Sequence, residues 1–155
     1  MYSNYHTLVE VVIKAELAGT RRHELVLMVC ATPKSRLDIG FQPLPLAVKA
    51  KTVGKMHFDH GMTQRHIQQL PQLLSSPSAL YASASRPGSV VVLTYELKAG
   101  KPIIVPVARD RQFGRDTLAN EISSMYAKDG PDVIGRWRRD GLLLWEAGPI
   151  QPVQK

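Results

Sequence analysis

The sequence has a single cysteine, Cys30, among 155 residues, so no disulfide can form within the chain. Cys30 lies in the apolar run ELVLMVCAT, where a thiol is expected to be buried and inert rather than catalytic. A chain of this length can bury an adequate core without disulfides or a structural metal. We therefore expect one domain over residues 1–148 and a short tail at 149–155.

Long hydrophobic segments are also missing. No stretch approaches the roughly 18–20 apolar residues that a membrane helix needs. The first residues, MYSNYHTLVEVVIK, have neither the basic start nor the apolar centre of a signal peptide. The sequence therefore predicts a cytoplasmic protein with no signal peptide and no membrane partner.

Several sequence motifs of enzymes are absent as well. Neither GxxxxGK[ST] nor GxGxxG occurs, which argues against a P-loop hydrolase and a dinucleotide enzyme. A serine nucleophile elbow, GxSxG, is missing too. His57 and His60, three residues apart, leave one metal arrangement open with Asp59 or His66, but HExxH and CxxC are lacking. The sequence as a whole predicts no metal and no cofactor.

Acidic residues are fewer than basic ones, 13 against 20, and the formal net charge is +7. Such a surplus favours nucleic acid or another anionic partner. The basic residues fall in several short clusters, among them ARDRQFGR and GRWRRDG. These two clusters provide Arg109, Arg136 and Arg138 as candidate substrate-binding residues. The alternative for RWRR is a solvated basic face with Trp137 in the core.

Hydrophobic periodicity in the first half predicts helices and two strands. Residues 4–18 place Leu8, Val11, Val12, Ala15 and Ala18 on one helical face, with Asn4 as cap and Gly19 as stop. Strands are predicted at 24–32 and 44–50. Two short helices follow, the first capped by Thr52 and ended by Gly61, the second capped by Thr63.

The second half is richer in strand patterns. ALYASAS, GSVVVLTYEL and KPIIVPVA predict an antiparallel meander. Residues 115–128 are predicted to be a helix, with Leu118, Ile122 and Met125 on one face. A helical turn, DVIGRWRRD, and a strand, GLLLWEA, close the chain. The order predicts an α+β domain in which the N-terminal helices pack on one face of a small, mainly antiparallel sheet.

The candidate site is the stretch VGKMHFDHGMTQRHIQQLP, which holds three of the five histidines together with Lys55. Metal-free RNA cleavage needs a base for the 2′-hydroxyl, an acid for the leaving oxygen and cations for the phosphate. His60 and Lys55 supply both kinds of group. The alternative is that these histidines are structural residues on helix surfaces, and we expect this for His57 and His66.

Three segments together carry a family resemblance: TPKSRLDIGFQPLPLAVKAKTVGKMHFDHGMTQRHIQQLPQLLSSPSALYAS, GSVVVLTYELKAGKPIIVPV and NEISSMYAKDGPDVIGRWRRDGLLLW. Over residues 32–145 the chain resembles the phage MuF C-terminal domain family. The resemblance implies a toxin-type domain with a fold similar to the barnase, EndoU, colicin and RelE group of metal-independent ribonucleases.

The resemblance also implies a substrate and functional residues. RNA, with tRNA as one candidate, would be the substrate, and a cognate immunity protein or antitoxin would be a partner. His60 would act as general acid or base, Lys55 and Lys128 would stabilise the phosphate, and Ser124 and Tyr126 would orient it. Asn120 matches a further motif position and is expected to bind substrate. The alternative is a non-enzymatic phage-derived protein that binds and blocks a host nucleic-acid or defence complex.

Overall fold

The computed structural model describes residues 4–130 and 132–148, and the predicted tail at 149–155 lies outside them. The helices are α1 (Tyr5–Ala18), α2 (Lys34–Leu37), α3 (Ala50–Gly54), a π-helix (Lys55–Asp59), α4 (Gln64–Gln68), α5 (Leu70–Ser75) and α6 (Val133–Arg139). The strands are β1 (Val26–Ala31), β2 (Pro45–Lys49), β3 (Ala79–Ala82), β4 (Val90–Lys98), β5 (Lys101–Phe113), β6 (Thr117–Ile122), β7 (Tyr126–Ala127) and β8 (Leu143–Glu146). No helix in these described ranges has the length and apolarity to cross a membrane.

Helix α1 ends at Gly19 as predicted, because Gly19 adopts the left-handed conformation with φ 74°. The predicted buried face was wrong in part. Its buried residues are Tyr5, Val9, Val12 and Ile13, whereas Val11 is 41% exposed. The burial of Tyr5 rotates the face, since its hydroxyl reaches the carbonyl of Ile67 at 2.6 Å and ties α1 to α4.

The two short helices of the candidate stretch differ in how well their starts were predicted. Helix α3 begins at Ala50 directly after β2, so Thr52 lies inside the helix and is not its cap. Helix α4 does begin after Thr63, as predicted. The Thr63 hydroxyl accepts from the His66 amide at 3.0 Å, and the His66 ring accepts from the Thr63 amide at 3.4 Å. His66 therefore completes a capping box.

Among the described residues the sheet has eight strands, in the order β1-β2-β6-β5-β4-β3-β8, with β7 pairing to β5. All pairs are antiparallel except β2 with β6, where Leu46 lies opposite Asn120. The α+β class and the mainly antiparallel sheet are thus confirmed, although eight strands exceed the small sheet that was expected.

The predicted helix at 115–128 was wrong, since this segment forms β6 and β7. Strand β6 lies between β5 and β2 and pairs with both. Leu118, placed on the apolar helix face by the pattern, is 50% exposed, while Ala119 and Ile122 are fully buried. Pairing on both edges satisfies the backbone of β6 and overrides the helical spacing of its apolar residues.

The two faces of the sheet have different coverings. One face packs against α1, α3, α4 and α5 through residues such as Val9, Ile67 and Ile103, which belong to one core cluster. Side chains alternate along a strand, so the neighbouring residues of β3 and β5 point to the opposite face. On that opposite face Tyr81 packs against Trp137 of α6, with ring centroids 5.5 Å apart.

Candidate functional site

A groove of about 450 Å³ lies on the sheet face opposite the N-terminal helices. Its floor includes Val91 of β4 and Ile104 and Pro106 of β5. The polar and aromatic side chains around this floor are Lys55, His60, Ser83, Ser85, Arg86, Ser89, Ser123, Ser124, Tyr126, Lys128 and Trp137. All five residues that the sequence analysis predicted as catalytic therefore line the same groove.

Three of these residues come from the extended segment around β7. In extended backbone every second side chain lies on the same face, so Ser124, Tyr126 and Lys128 point together into the groove. Met125, between them, is fully buried in the core. On a helix Tyr126 would point away from Ser124 and Lys128, so the strand that replaces the predicted helix is what brings all three together.

Lys55 and His60 come from the two ends of the π-helix. The His60 amide donates to the Lys55 carbonyl at 3.0 Å, which is the five-residue hydrogen bond of a π turn. Lys55 and His60 are thus placed on the groove side, and the His60 ring lies 5.5 Å from the Tyr126 ring between centroids. Gly61, at φ 66°, turns the chain away, and Lys98 Nζ donates to its carbonyl at 2.6 Å.

The other two histidines of the stretch lie outside the groove. His57 Nδ1 contacts the carbonyl of Met62 at 2.7 Å, and His66 caps α4. Both side chains serve local structure, which is what the sequence analysis expected. Within residues 4–130 and 132–148 no group of three or more His, Cys, Asp or Glu side chains has the placement of a metal site.

The electrostatic character of the groove follows from its side chains. Lys55, Arg86 and Lys128 contribute three cations, and no Asp or Glu is among the described residues that line it. Lys128 is half-buried, with Nζ 5.8 Å from the Trp137 ring and 5.9 Å from the Tyr126 ring. These aromatic faces stabilise the ammonium group where solvent is reduced. The groove can therefore hold an anionic group beside an imidazole and several hydroxyls.

Asn120, predicted to bind substrate, lies in the interior with 0% of its surface exposed. Its amide donates to Thr32 Oγ1 at 2.8 Å and to the Gln42 carbonyl at 3.2 Å. Its carbonyl accepts from the Asp110 amide at 3.1 Å, at the bulge of β5. In this structure Asn120 joins three segments and has no surface to offer a substrate.

The three predicted substrate-binding arginines are also outside the groove. Arg109 stacks on Phe41 at 4.2 Å and donates to the Gly88 carbonyl at 2.8 Å, so it fixes the end of the β3–β4 loop. Arg136 and Arg138 are exposed on α6, on either side of Trp137. Arg138 pairs with Glu146 at 2.9 Å, and this hydrogen bond raises the pKa of Arg138.

The sequence analysis missed the contribution of the β3–β4 loop, SASRPGS. Arg86 and three serines of this loop line the groove. The Ser83 hydroxyl accepts from the Arg86 amide at 3.1 Å and shapes the loop. A polar loop carrying an arginine between two strands was the available signal, because binding residues concentrate on such loops. Trp137, considered for the core, instead lines the groove while half-buried.

Cys30 is buried and free, as predicted. Burial raises the pKa of its thiol, so the reactive thiolate is disfavoured. The fold and the groove thus define an α+β protein with a cationic, serine-rich and aromatic groove on its open sheet face.

A comparison with protein families finds a match. Residues 51–147 match the family described as phage MuF-C-terminal domain, which is more than half of the chain. The chain belongs to this family. The match begins later than the resemblance seen at 32–145, so residues 32–50 lie outside it. No curated protein and no solved structure gives a significant match.

Proposed function

We propose that this phage-family domain is a toxin-type, metal-independent ribonuclease with a fold similar to the barnase, EndoU, colicin and RelE group. One observation carries the proposal: Lys55, His60 and Lys128, with Ser124 and Tyr126, line a single groove without a carboxylate among its described residues. RNA cleavage through the 2′-hydroxyl needs this combination of an imidazole and fixed cations at one phosphate.

The proposed reaction begins with His60 as the general base. Its imidazole takes the proton of the 2′-hydroxyl, and the 2′-oxygen attacks the adjacent phosphorus. The bond to the 5′-oxygen breaks, and that oxygen takes a proton from a second donor. Tyr126 and Lys128 carry protons for this step in the same groove. The products are a 2′,3′-cyclic phosphate and a free 5′-hydroxyl.

The remaining groups stabilise the charge that builds up on the phosphate. Lys55 and Lys128 attract the two non-bridging oxygens, and the Ser124 hydroxyl donates a hydrogen bond to one of them. Arg86 extends the positive field along the groove toward the neighbouring phosphate. Trp137 and Tyr126 offer aromatic surface to bases that are not paired, which favours single-stranded segments or loops of RNA.

The test is cleavage of total cellular RNA, including tRNA, by the purified protein in the presence of a chelator. We expect discrete fragments ending in cyclic phosphate from the parent protein, and loss of at least ~100-fold in rate for His60→Ala. The matched control is His6→Ala, since His6 is an exposed helix histidine that does not line the groove.

Stability measurements complete the test. His60 is exposed, so its substitution should change the free energy of unfolding by less than ~0.5 kcal/mol. Equal cleavage by the parent and His60→Ala would refute the assignment of the base. Intact RNA with a folded parent protein, with and without chelator, would refute the ribonuclease and favour the non-enzymatic binding protein.

A further inference from the structure

A second depression, of about 440 Å³, shares Lys55 with the groove. Its wall is formed by the end of α1, the segment that follows α1, and the helices α3 and π. Its lining residues are Glu16, Leu17, Arg21, His23, Lys51, Gly54, Lys55, Phe58 and Asp59. None of these except Lys55 lines the groove, so the depression is a separate feature of the surface.

Lys55 connects the two. Its side chain is exposed and lines both the depression and the groove. A phosphate held by Lys55 in the groove would therefore have one of its two neighbouring nucleotides directed toward the depression. An internal phosphate of a polynucleotide has a nucleotide on each side. The nucleotide on this side would therefore contact the protein surface.

Phe58 is the prominent side chain of the depression. It lies on the π-helix with 46% of its surface exposed, and the His57 ring stands against it at 85° with centroids 4.7 Å apart. The edge contact holds the Phe58 ring in place while the ring keeps an open surface. An exposed aromatic ring of this kind is the platform on which proteins stack unpaired bases.

The charges around Phe58 suit a nucleotide. Lys51 and Lys55 are exposed and can contact phosphate or ribose oxygens. The carboxylate of Glu16, at the floor, is occupied by Arg21 at 3.3 Å and by His23 at 2.9 Å. Asp59 also lines a third depression, which contains His60 and Lys98. Lys51 and Lys55 thus place two cations in the same depression as the aromatic platform.

We propose that this depression is a subsite for the nucleotide next to the cleaved phosphate of a single-stranded RNA, with its base stacked on Phe58 and its phosphate near Lys51. The proposal rests on the proposed function, since it extends the substrate of the same site. It makes Phe58 and Lys51 substrate-binding residues and predicts that RNA longer than the groove gains affinity from the depression.

The experiment uses His60→Ala protein, which should bind RNA without cutting it. Fluorescence anisotropy gives the affinity for a single-stranded hexanucleotide, and NMR titration gives the affinity for inorganic phosphate. In this background Phe58→Ala should weaken hexanucleotide binding about 5- to 150-fold, which corresponds to the loss of one stacked base. Phosphate binding should stay within about twofold, because inorganic phosphate is held by the cations of the groove and carries no base to stack on Phe58.

Two further variants make the result specific. Phe58→Tyr keeps an aromatic face and should retain the parent affinity for the hexanucleotide. Tyr95→Ala is the matched control, because Tyr95 is an aromatic residue with 53% exposure that lines neither the groove nor this depression. Its removal should leave both affinities unchanged.

The outcomes separate this inference from the proposed function. If Phe58→Ala binds the hexanucleotide as tightly as the parent while Lys128→Ala binds it weakly, the subsite is wrong and RNA binding in the groove stands. If the hexanucleotide does not bind to folded protein, the proposed function fails and the subsite fails with it. Equal weakening by Phe58→Ala and Tyr95→Ala would also refute the subsite, since the effect would not be local.

Discussion

Asn120→Ala separates a structural role from a substrate-binding role at a position where the family resemblance implied contact with substrate. The Asn120 side chain is fully buried and makes three hydrogen bonds, to Thr32, to Gln42 and from the amide of Asp110. The Asp110 bond matters because the register of β5 shifts there, and the bulged amide has lost its partner in the ladder. Truncation to alanine removes all three bonds and leaves the buried Thr32 hydroxyl with its bond to the Leu44 carbonyl alone.

The magnitude follows from these bonds. A hydrogen bond contributes about 0.5–1.5 kcal/mol net, so the three together contribute roughly 2–4 kcal/mol to the free energy of unfolding. With a urea slope of about 1–3 kcal/mol/M, the unfolding midpoint should fall by about 1–2 M. Urea unfolding followed by circular dichroism measures both quantities. The unfolding slope should not change, because the variant exposes the same surface when it unfolds.

A double-mutant cycle with Thr32→Val isolates one of the bonds. The two substitutions should couple by about 1 kcal/mol, since each removes the same contact between β6 and the end of β1. Under native conditions the folded Asn120→Ala protein should bind the RNA hexanucleotide with nearly the parent affinity. An unchanged free energy of unfolding together with lost RNA binding would refute the structural role and restore Asn120 to the substrate site.

Two further predictions concern Arg36 and Gly61. Arg36 is fully buried with Nε and Nη2 unpartnered, and burial lowers its pKa to about 10, so Arg36→Met should raise the free energy of unfolding by about 1–3 kcal/mol at neutral pH. A lowered pKa on a cation means that its destabilising charge is present below pH 10 and is lost as the pH rises toward the ordinary pKa of arginine. This advantage, measured by urea unfolding, should therefore shrink above pH 10, and an advantage independent of pH would contradict the reasoning. Gly61→Ala should cost about 1–2 kcal/mol in the same assay, because its φ of +66° disfavours any side chain, while the flexible end of Lys98 only has to move away from the new Cβ. Gly148→Ala, with open space around it, should cost less than ~0.5 kcal/mol, and equal costs would refute this explanation.

The strands of the central sheet were predictable because the local strand preference of their residues and their expected burial both favour a strand. Residues 90–93 and 103–105 are continuous β-branched or aliphatic runs, and turns containing glycine bound them. Such runs are favourable in strands and unfavourable in exposed helices, so local preference and burial indicate the same structure. Strand β6 lacks this agreement. Ala119, Asn120 and Glu121 carry little strand preference, and only pairing with β2 and β5 makes the segment extended.

Five of the residues singled out in the sequence line the groove, but the sequence did not indicate how they come together. Serine, tyrosine and lysine at 124, 126 and 128 were singled out as members of a helix, on which alternate positions point in different directions. Their common orientation in the groove depends on the pairing of β7 with β5, where Ile104 lies opposite Tyr126. That pairing is a contact between residues distant in sequence, and no local pattern in the sequence reports it.

The π-helix explains why His60 lines the groove while His57, in the same candidate stretch, does not. On an α-helix His57 and His60 would lie near one another on the surface, and Lys55 and His60 would be separated by about 140° around the axis. The π turn is wider than an α turn and changes both of these positions. The His60 amide donates to the Lys55 carbonyl, and this bond brings Lys55 and His60 to the same side of the helix. His57 then faces the Met62 carbonyl instead.

The metal arrangement of His57 with His60 assumed α-helical geometry, and the acid–base pair of Lys55 with His60 requires this one irregular turn. A substitution that restores α-helical geometry here should therefore separate Lys55 from His60 even though both residues remain in the sequence.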